Sequence, residues 1–104
     1  MIKQINESAF NELVKGVKGV SVVDFFATWC GPCRMLSPVM ENVANELKDV
    51  SFYKIDVDEN ERLAGKFGIS SIPCLILFVD GEPKSKILGY RPLSDIVSWI
   101  NNNK

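Results

Sequence analysis

The segment Trp29-Cys30-Gly31-Pro32-Cys33 holds the residues of this sequence that are best suited to chemistry. Two cysteines separated by two residues can bring their sulfur atoms together across one helical turn, so one thiol can complete the exchange that the other begins. The nucleophile is the thiolate, and a helix amino terminus lowers a thiol's pKa because its unpaired N–H groups and dipole favour negative charge. The segment therefore predicts thiol–disulfide exchange, with a lowered pKa at Cys30.

Other uses of a paired-cysteine motif fit this sequence less well. A structural zinc ion takes four cysteine or histidine ligands, whereas this chain has three cysteines and no histidine. Two inert, buried thiols would not require Gly31-Pro32, a helix start or the adjacent Trp29. A c-type haem needs histidine after the second cysteine, where this chain has Arg34. Redox chemistry is favoured, and it needs no metal ion or bound cofactor because the dithiol itself carries both electrons.

The composition excludes several classes of protein. With 104 residues, 46% hydrophobic and 24% charged, the chain has the size and composition of one globular domain, predicted over 1–104. The lack of histidine excludes Ser-His-Asp hydrolases, Cys-His proteases and HExxH metalloproteases. A formal net charge of −1 offers no basic excess for nucleic acid or an anionic membrane surface.

No targeting or membrane segment is apparent in the sequence. Residues 1–6 contain no apolar signal region, and the longest apolar runs, such as 75–79, are far too short to span a bilayer. We therefore expect a cytoplasmic protein in a reducing compartment, where a CxxC motif indicates redox chemistry rather than a structural bridge.

Hydrophobic periodicity predicts the elements that must position the motif. Apolar residues at helical spacing alternate with short apolar runs, which gives the order βαβαβα followed by ββα. This order predicts an α/β fold in which four helices flank a mixed five-stranded sheet. The motif then follows the carboxyl end of the second strand, where reactive sites of open α/β sheets lie. The predicted strands cover 2–5, 20–27, 52–57, 75–79 and 84–88, and the predicted helices cover 9–17, 36–47, 60–67 and 92–100.

Residues throughout the chain resemble the thioredoxin family. The resemblance rests on the motif at 29–33, Asp24-Phe25-Phe26-Ala27 before it, Lys54, Ile72-Pro73, Gly81 and Gly89. It implies the thioredoxin fold, with sheet order 3-1-2-4-5 and the last two strands antiparallel. It also implies a cis peptide bond before Pro73 that faces the cysteines.

The resemblance assigns roles within the motif. Cys30 matches the exposed nucleophile that attacks a substrate disulfide, and Cys33 matches the buried thiol that resolves the mixed disulfide. Gly31 and Pro32 match the dipeptide that tunes the redox potential. Related disulfide isomerases have histidine where this chain has Pro32, which offers no cation to stabilise a thiolate, so a reductant is favoured over an oxidant.

A flat apolar surface around Cys30 is expected to bind substrates, with an extended substrate segment paired to the backbone at Ile72. A core position for Trp29 is the alternative for that residue. The sequence departs from the family pattern near this groove at Cys74, usually threonine, and at Tyr90-Arg91, where a small residue is common. The residues expected to form the surface are Trp29, Gly31, Pro32, Ile72, Pro73 and Gly89.

Asp24 is unusual because it lies within the apolar run 20–27. We interpret it as a buried proton acceptor for Cys33, with Lys54 nearby, and expect burial to raise its pKa. A solvent-facing carboxylate at a strand end is the alternative. Cys74, in contrast, is expected to be a small buried hydrophobe that takes no part in turnover.

The function that the resemblance implies is general protein-disulfide reduction by a monomer. Electrons would come from a thioredoxin reductase and pass to oxidised enzymes such as ribonucleotide reductase, peroxiredoxins or methionine sulfoxide reductases. An oxidase or isomerase is a close alternative, which Gly31-Pro32 disfavours. A binding module that uses this fold as a scaffold is a more distant one, in which both cysteines would be dispensable.

Overall fold

The computed structural model describes residues 2–104 and has the predicted order of elements. Helix α2 begins earlier than its apolar pattern indicates, because its first turn is formed by the residues of the motif itself. The elements are β1 (Lys3–Gln4), α1 (Glu7–Leu13), β2 (Val20–Phe26), α2 (Gly31–Glu46), β3 (Val50–Asp56), α3 (Glu61–Lys66), β4 (Cys74–Val79), β5 (Glu82–Leu88) and α4 (Leu93–Asn103).

The five strands form one mixed sheet in the order β1-β3-β2-β4-β5. Strands β1, β2 and β3 are parallel, β4 runs antiparallel to β2, and β5 runs antiparallel to β4. The predicted α/β fold with a five-stranded sheet and four helices is confirmed. The strand order differs from 3-1-2-4-5 in that the first strand occupies the edge and the third lies inside. Strand β1 has only two residues, both exposed, whereas β3 has seven and includes the buried Phe52 and Ile55. A short, exposed strand suits a sheet edge.

Each face of the sheet is covered by its own hydrophobic cluster. One cluster joins the sheet to α2 and α4 and includes Val22 and Leu36. The other joins it to α1 and α3 and includes Phe10 and Phe25. Because successive side chains of a strand point to opposite faces, β2 is apolar at nearly every position. The same alternation places Asp24 on the α2 face.

The turn between β4 and β5 is anchored to the connection that precedes β2. The Asp80 N–H donates to the Gly19 carbonyl, and the Gly19 N–H donates to Asp80 Oδ1, both at 2.8 Å. Gly81 has a φ of 84° and packs against Gly16 so closely that a Cβ atom there would lie 2.6 Å from Gly16 Cα. The turn therefore requires glycine at position 81 for its conformation and for its packing.

Within residues 2–104, no helix combines the length and the apolar character that crossing a membrane requires.

Candidate active site

The two motif cysteines form a disulfide at the amino terminus of α2. Cys30 is the residue that caps this helix, with extended backbone, and Cys33 lies in its first turn, 5.2 Å away between Cα atoms. Pro32 occupies the first turn at no cost, because its missing N–H would have had no partner within the helix. The Cys33 N–H donates to Cys30 Sγ at 3.2 Å. The sulfur of Cys30 thus occupies the place where an N-terminal cap stabilises negative charge.

The two cysteines are equally shielded from solvent in this oxidised form. The exposed fraction is 4% for Cys30 and 5% for Cys33, which differs from the exposed Cys30 and buried Cys33 that the family resemblance implies. Both lie with Ala27 in a small cluster against which Ile72 and Val57 pack. The two sulfurs therefore do not differ in burial, but they differ in their positions on the helix.

A second segment approaches the disulfide from the start of β4. The Ile72–Pro73 peptide bond is cis, as expected, and the Ile72 carbonyl oxygen lies 3.9 Å from Cys30 Sγ. The Gly89 N–H donates to the Pro73 carbonyl at 2.8 Å. The structure thus brings together the motif, the Ile72-Pro73 segment and Gly89, which are far apart in the sequence.

Trp29 lies on the surface, so its interpretation as a core residue is wrong. Its side chain is 67% exposed, and its indole Nε1 donates to Asp58 Oδ2 at 2.8 Å. The Asp58 N–H donates in turn to Asp56 Oδ1, also at 2.8 Å. The sequence reasoning missed Asp58. Its position two residues after β3 was a usable signal, because β2 and β3 are parallel and their carboxyl ends share one edge of the sheet.

Further apolar side chains are exposed close in sequence to the residues of the site. Met35 and Tyr90 are both exposed, as is Pro32 within the motif. Large apolar side chains that are exposed together on a small protein mark a contact surface. The Arg34 side chain is held against the segment before α2, since its Nη1 donates to the Thr28 carbonyl at 2.9 Å.

A cavity of about 260 Å³ connects the buried side of the disulfide with the Asp24 carboxyl. Asp24 and Lys54 are direct partners in the register of β2 and β3. Asp24 is 6% exposed, which rules out the solvent-facing alternative, and its Oδ1 has no hydrogen-bond partner among residues 2–104. Burial raises the pKa of Asp24 to about 7, and the Lys54 ammonium offsets part of this shift. The cavity is lined by Asp24, Phe26, Ala27, Thr28, Cys33, Arg34, Ser37 and Lys54.

Comparison with known proteins agrees with this geometry. The family model described as thioredoxin matches residues 1–102. The chain belongs to the thioredoxin family. Curated relatives that match nearly the whole chain are named thioredoxin, and three of them illustrate the similarity. The one from Chlamydia pneumoniae is 43% identical over 103 residues, which cover 99% of each chain. The one from Staphylococcus saprophyticus is 42% identical over 103 residues, or 98% of this chain and 97% of the relative. The one from Listeria monocytogenes is 42% identical over 102 residues, or 97% of each.

Thioredoxins are thiol–disulfide oxidoreductases, and the Cys30–Cys33 pair is the site of that reaction in this chain. The disulfide is the oxidised product of the exchange that the sequence predicted. No group of three or more His, Cys, Asp or Glu side chains in the described part of the chain, 2–104, is arranged to hold a metal ion.

The third cysteine of this thioredoxin-family chain lies on the opposite face of the sheet from Asp24. Cys74 is buried in the cluster under α1 and α3, beside its register partner Phe25. Burial raises the pKa of its thiol, the Lys86 ammonium lowers it in part, and the Asp24 carboxylate raises it further. A buried thiol with a raised pKa provides little thiolate, so Cys74 has the character of a packing residue.

Proposed function

We propose that the chain reduces protein disulfides with Cys30 as the nucleophile and Cys33 as the resolving thiol. The observation that supports these roles is the hydrogen bond from the Cys33 N–H to Cys30 Sγ at the helix start. A thiolate at Cys30 accepts that bond and lies at the positive end of the α2 dipole, whereas Cys33 lies within the first turn of the helix. We expect the 104 residues to act as one domain.

The exchange proceeds in two balanced steps. The Cys30 thiolate attacks one sulfur of the substrate disulfide, and a Cys30–substrate disulfide forms. The substrate disulfide breaks, and the sulfur that was not attacked leaves first, as a thiolate that takes a proton. The Cys33 thiolate then attacks Cys30 Sγ, the Cys30–Cys33 disulfide forms, the Cys30–substrate disulfide breaks, and the second substrate sulfur leaves as a thiolate that takes the second proton. Two electrons pass from the dithiol to the substrate.

The proton of Cys33 needs an acceptor before the second step. Asp24 lines the same cavity as Cys33, and its pKa near 7 matches the pH at which such a transfer is useful. Lys54 adjoins the carboxyl and stabilises its ionised form. We assign Asp24 as the proton acceptor and Lys54 as the residue that adjusts its pKa.

Substrate binding uses the surface around the disulfide. An extended segment of the substrate pairs with the backbone of Ile72, beside Pro73 and Gly89, and packs against Trp29. Gly31 and Pro32 add no cation to the Cys30 thiolate, which favours the reductant over the oxidase or isomerase. Weak, apolar contacts of this kind suit a protein with many partners.

The expected partners follow from the dithiol chemistry. We infer that a thioredoxin reductase restores the dithiol and that oxidised ribonucleotide reductase, peroxiredoxins and methionine sulfoxide reductases accept its electrons. The protein would act as a monomer in the cytoplasm, without a bound cofactor and without binding nucleic acid or membrane.

Trapping of the mixed disulfide tests the roles of Cys30 and Cys33. Cys30→Ser should abolish reduction of insulin disulfides, whereas Cys33→Ser should attack once and remain as a mixed disulfide, visible by mass spectrometry. Cys74→Ser is the matched control and should turn over normally. Faster alkylation of Cys33 than of Cys30 in the reduced protein would reverse the assignment. Full biological activity of a Cys30→Ser, Cys33→Ser protein would instead favour the binding module.

A further inference from the structure

Four lysines from three separate segments of the chain surround a groove on the α3 face of the sheet. Two adjoining cavities, of about 470 and 270 Å³, share Lys66, Phe67 and Pro83 in their linings. Lys84 and Lys86 border the first cavity, and Lys15 borders the second. We call this feature the lysine groove.

The charges of the lysine groove are not neutralised within the protein. All four lysines are exposed, and none forms an ion pair with another residue in 2–104. Among the described residues, 2–104, Glu82 is the only acidic one that lines either cavity. Since the whole chain carries a net charge of −1, the rest of its surface is acidic on balance and the groove is a local positive region.

Protection of an edge strand explains only part of this cluster. Strand β5 is at the sheet edge, and lysines and proline commonly prevent such strands from pairing with other chains. Lys84, Lys86 and Pro83 fit that purpose. Lys66 ends α3 and Lys15 follows α1, so neither belongs to the edge strand, yet Lys66 lines both cavities and Lys15 lines the second.

The lysine groove lies a short distance along β5 from Gly89, which adjoins the Ile72-Pro73 segment. In the β4–β5 register Leu88 pairs with Cys74 and Lys86 pairs with Ile76, and Gly89 follows Leu88 directly. Because a strand rises about 3.4 Å per residue, Lys86 lies roughly 10 Å along β5 from Gly89. An extended segment that passes Ile72 and Gly89 can therefore reach the groove within a few residues.

We propose that the lysine groove binds an acidic segment of partner proteins whose disulfide is exchanged at Cys30. The lysines attract carboxylates, while Phe67, Pro83 and the buried Ile76 offer an apolar floor for an aromatic or aliphatic side chain. The groove is short and the chain has no net basic excess, which fits an acidic peptide segment rather than a nucleic-acid backbone. This inference rests on the proposed function and adds a class of preferred partner to it.

Two matched disulfide peptides test the proposal. Both carry the same intramolecular disulfide and a six-residue extension through a two-residue linker, with Glu-Phe-Glu-Glu-Phe-Glu in one and Gln-Phe-Gln-Gln-Phe-Gln in the other. Extensions on either side of the disulfide are compared. For the unaltered protein we expect kcat/KM to be about five- to tenfold higher with the Glu peptide, from several weak surface ion pairs. This preference should disappear near ~0.5 M NaCl, where charges are screened within a few ångströms.

Charge-reversal variants locate the effect. Lys66→Glu with Lys84→Glu should remove or invert the preference for the Glu peptide while kcat/KM for the Gln peptide stays unchanged. Lys3→Glu with Lys48→Glu makes the same change in net charge at exposed sites outside the groove and should retain the preference. Equal rates for the two peptides, or equal losses in the two variants, would overturn the proposal. Failure of the proposed function is distinct, because the Gln peptide would then not be reduced either.

Discussion

Asp24 and Lys54 stand side by side on adjacent parallel strands, and both face the cavity that reaches Cys33. A carboxyl group in this position is costly to ionise, since burial outweighs the attraction of the ammonium. The protein retains a destabilising residue at the centre of its sheet. Such a residue is expected where proton transfer requires it.

Replacement of Asp24 by Asn should stabilise the protein at neutral pH and slow its turnover. Because the pKa rises from an ordinary 3.8 to about 7 on folding, the stability of the native protein declines between pH 4 and 7. Asp24→Asn removes that decline. In urea denaturation, the free energy of unfolding of the variant should exceed that of the unaltered protein by almost nothing at pH 4 and by on the order of a few kcal/mol at pH 8. Turnover should fall and lose its titration near pH 7. Lower stability at pH 8 with unchanged turnover would contradict both expectations.

Asp58 should act on substrate binding through Trp29. Its carboxylate holds the exposed indole by a hydrogen bond, so Asp58→Ala leaves the ring free to adopt other rotamers. We expect a KM for insulin raised severalfold with kcat nearly unchanged, together with a changed Trp29 fluorescence. Glu59→Ala removes a neighbouring exposed carboxylate and serves as the control. Equal effects of the two substitutions would show that the charge, and not the hydrogen bond, is important.

Cys74→Thr should leave reductase activity intact. The residue is buried on the α1 and α3 face, away from the cavity beside Cys33, and its stability change should stay within about 1 kcal/mol because size is nearly conserved. In the native protein Cys74 should alkylate far more slowly than reduced Cys30. Peptide mapping after peroxide treatment is the direct check, and abundant disulfide between Cys74 and Cys30 would show that its burial does not protect it.

Two glycine substitutions should have opposite effects on stability. Gly81→Ala places a Cβ against the Gly16 backbone at a positive φ and should cost about 2 kcal/mol or more. Gly65→Ala lies in α3, has no neighbouring atom within 4 Å of the new Cβ, and should stabilise by about 0.5 to 1 kcal/mol. Thermal denaturation of both variants measures the difference. Unchanged stability of the Gly81→Ala variant would mean that the β4–β5 turn can move away from the connection at Gly16.

Much of this architecture could be predicted from local sequence. The apolar run at 20–27 and the helix signals after it are sufficient to place the CxxC motif at the carboxyl end of a strand. The position of β1 could not be predicted in that way, because two exposed residues carry no periodicity. The lysine groove could not be predicted either, because it depends on segments that only the folded chain brings together, whereas the position of Asp58 just after β3 was a usable signal for its approach to Trp29.

Helix α2 is capped by the sulfur atom of Cys30, to which we assign the role of nucleophile. Each catalytic cycle therefore changes the charge of a helix cap, from a thiolate to a neutral, bonded sulfur and back. The stability of this first turn and the reduction of the disulfide are linked equilibria. If the thiolate stabilises the first turn of α2, the same free energy favours the reduced form of the protein over the oxidised form. The amides of Cys33 and Arg34 should consequently exchange hydrogen more slowly in the reduced protein than in the oxidised one, so that the start of α2 reports the redox state of the whole molecule.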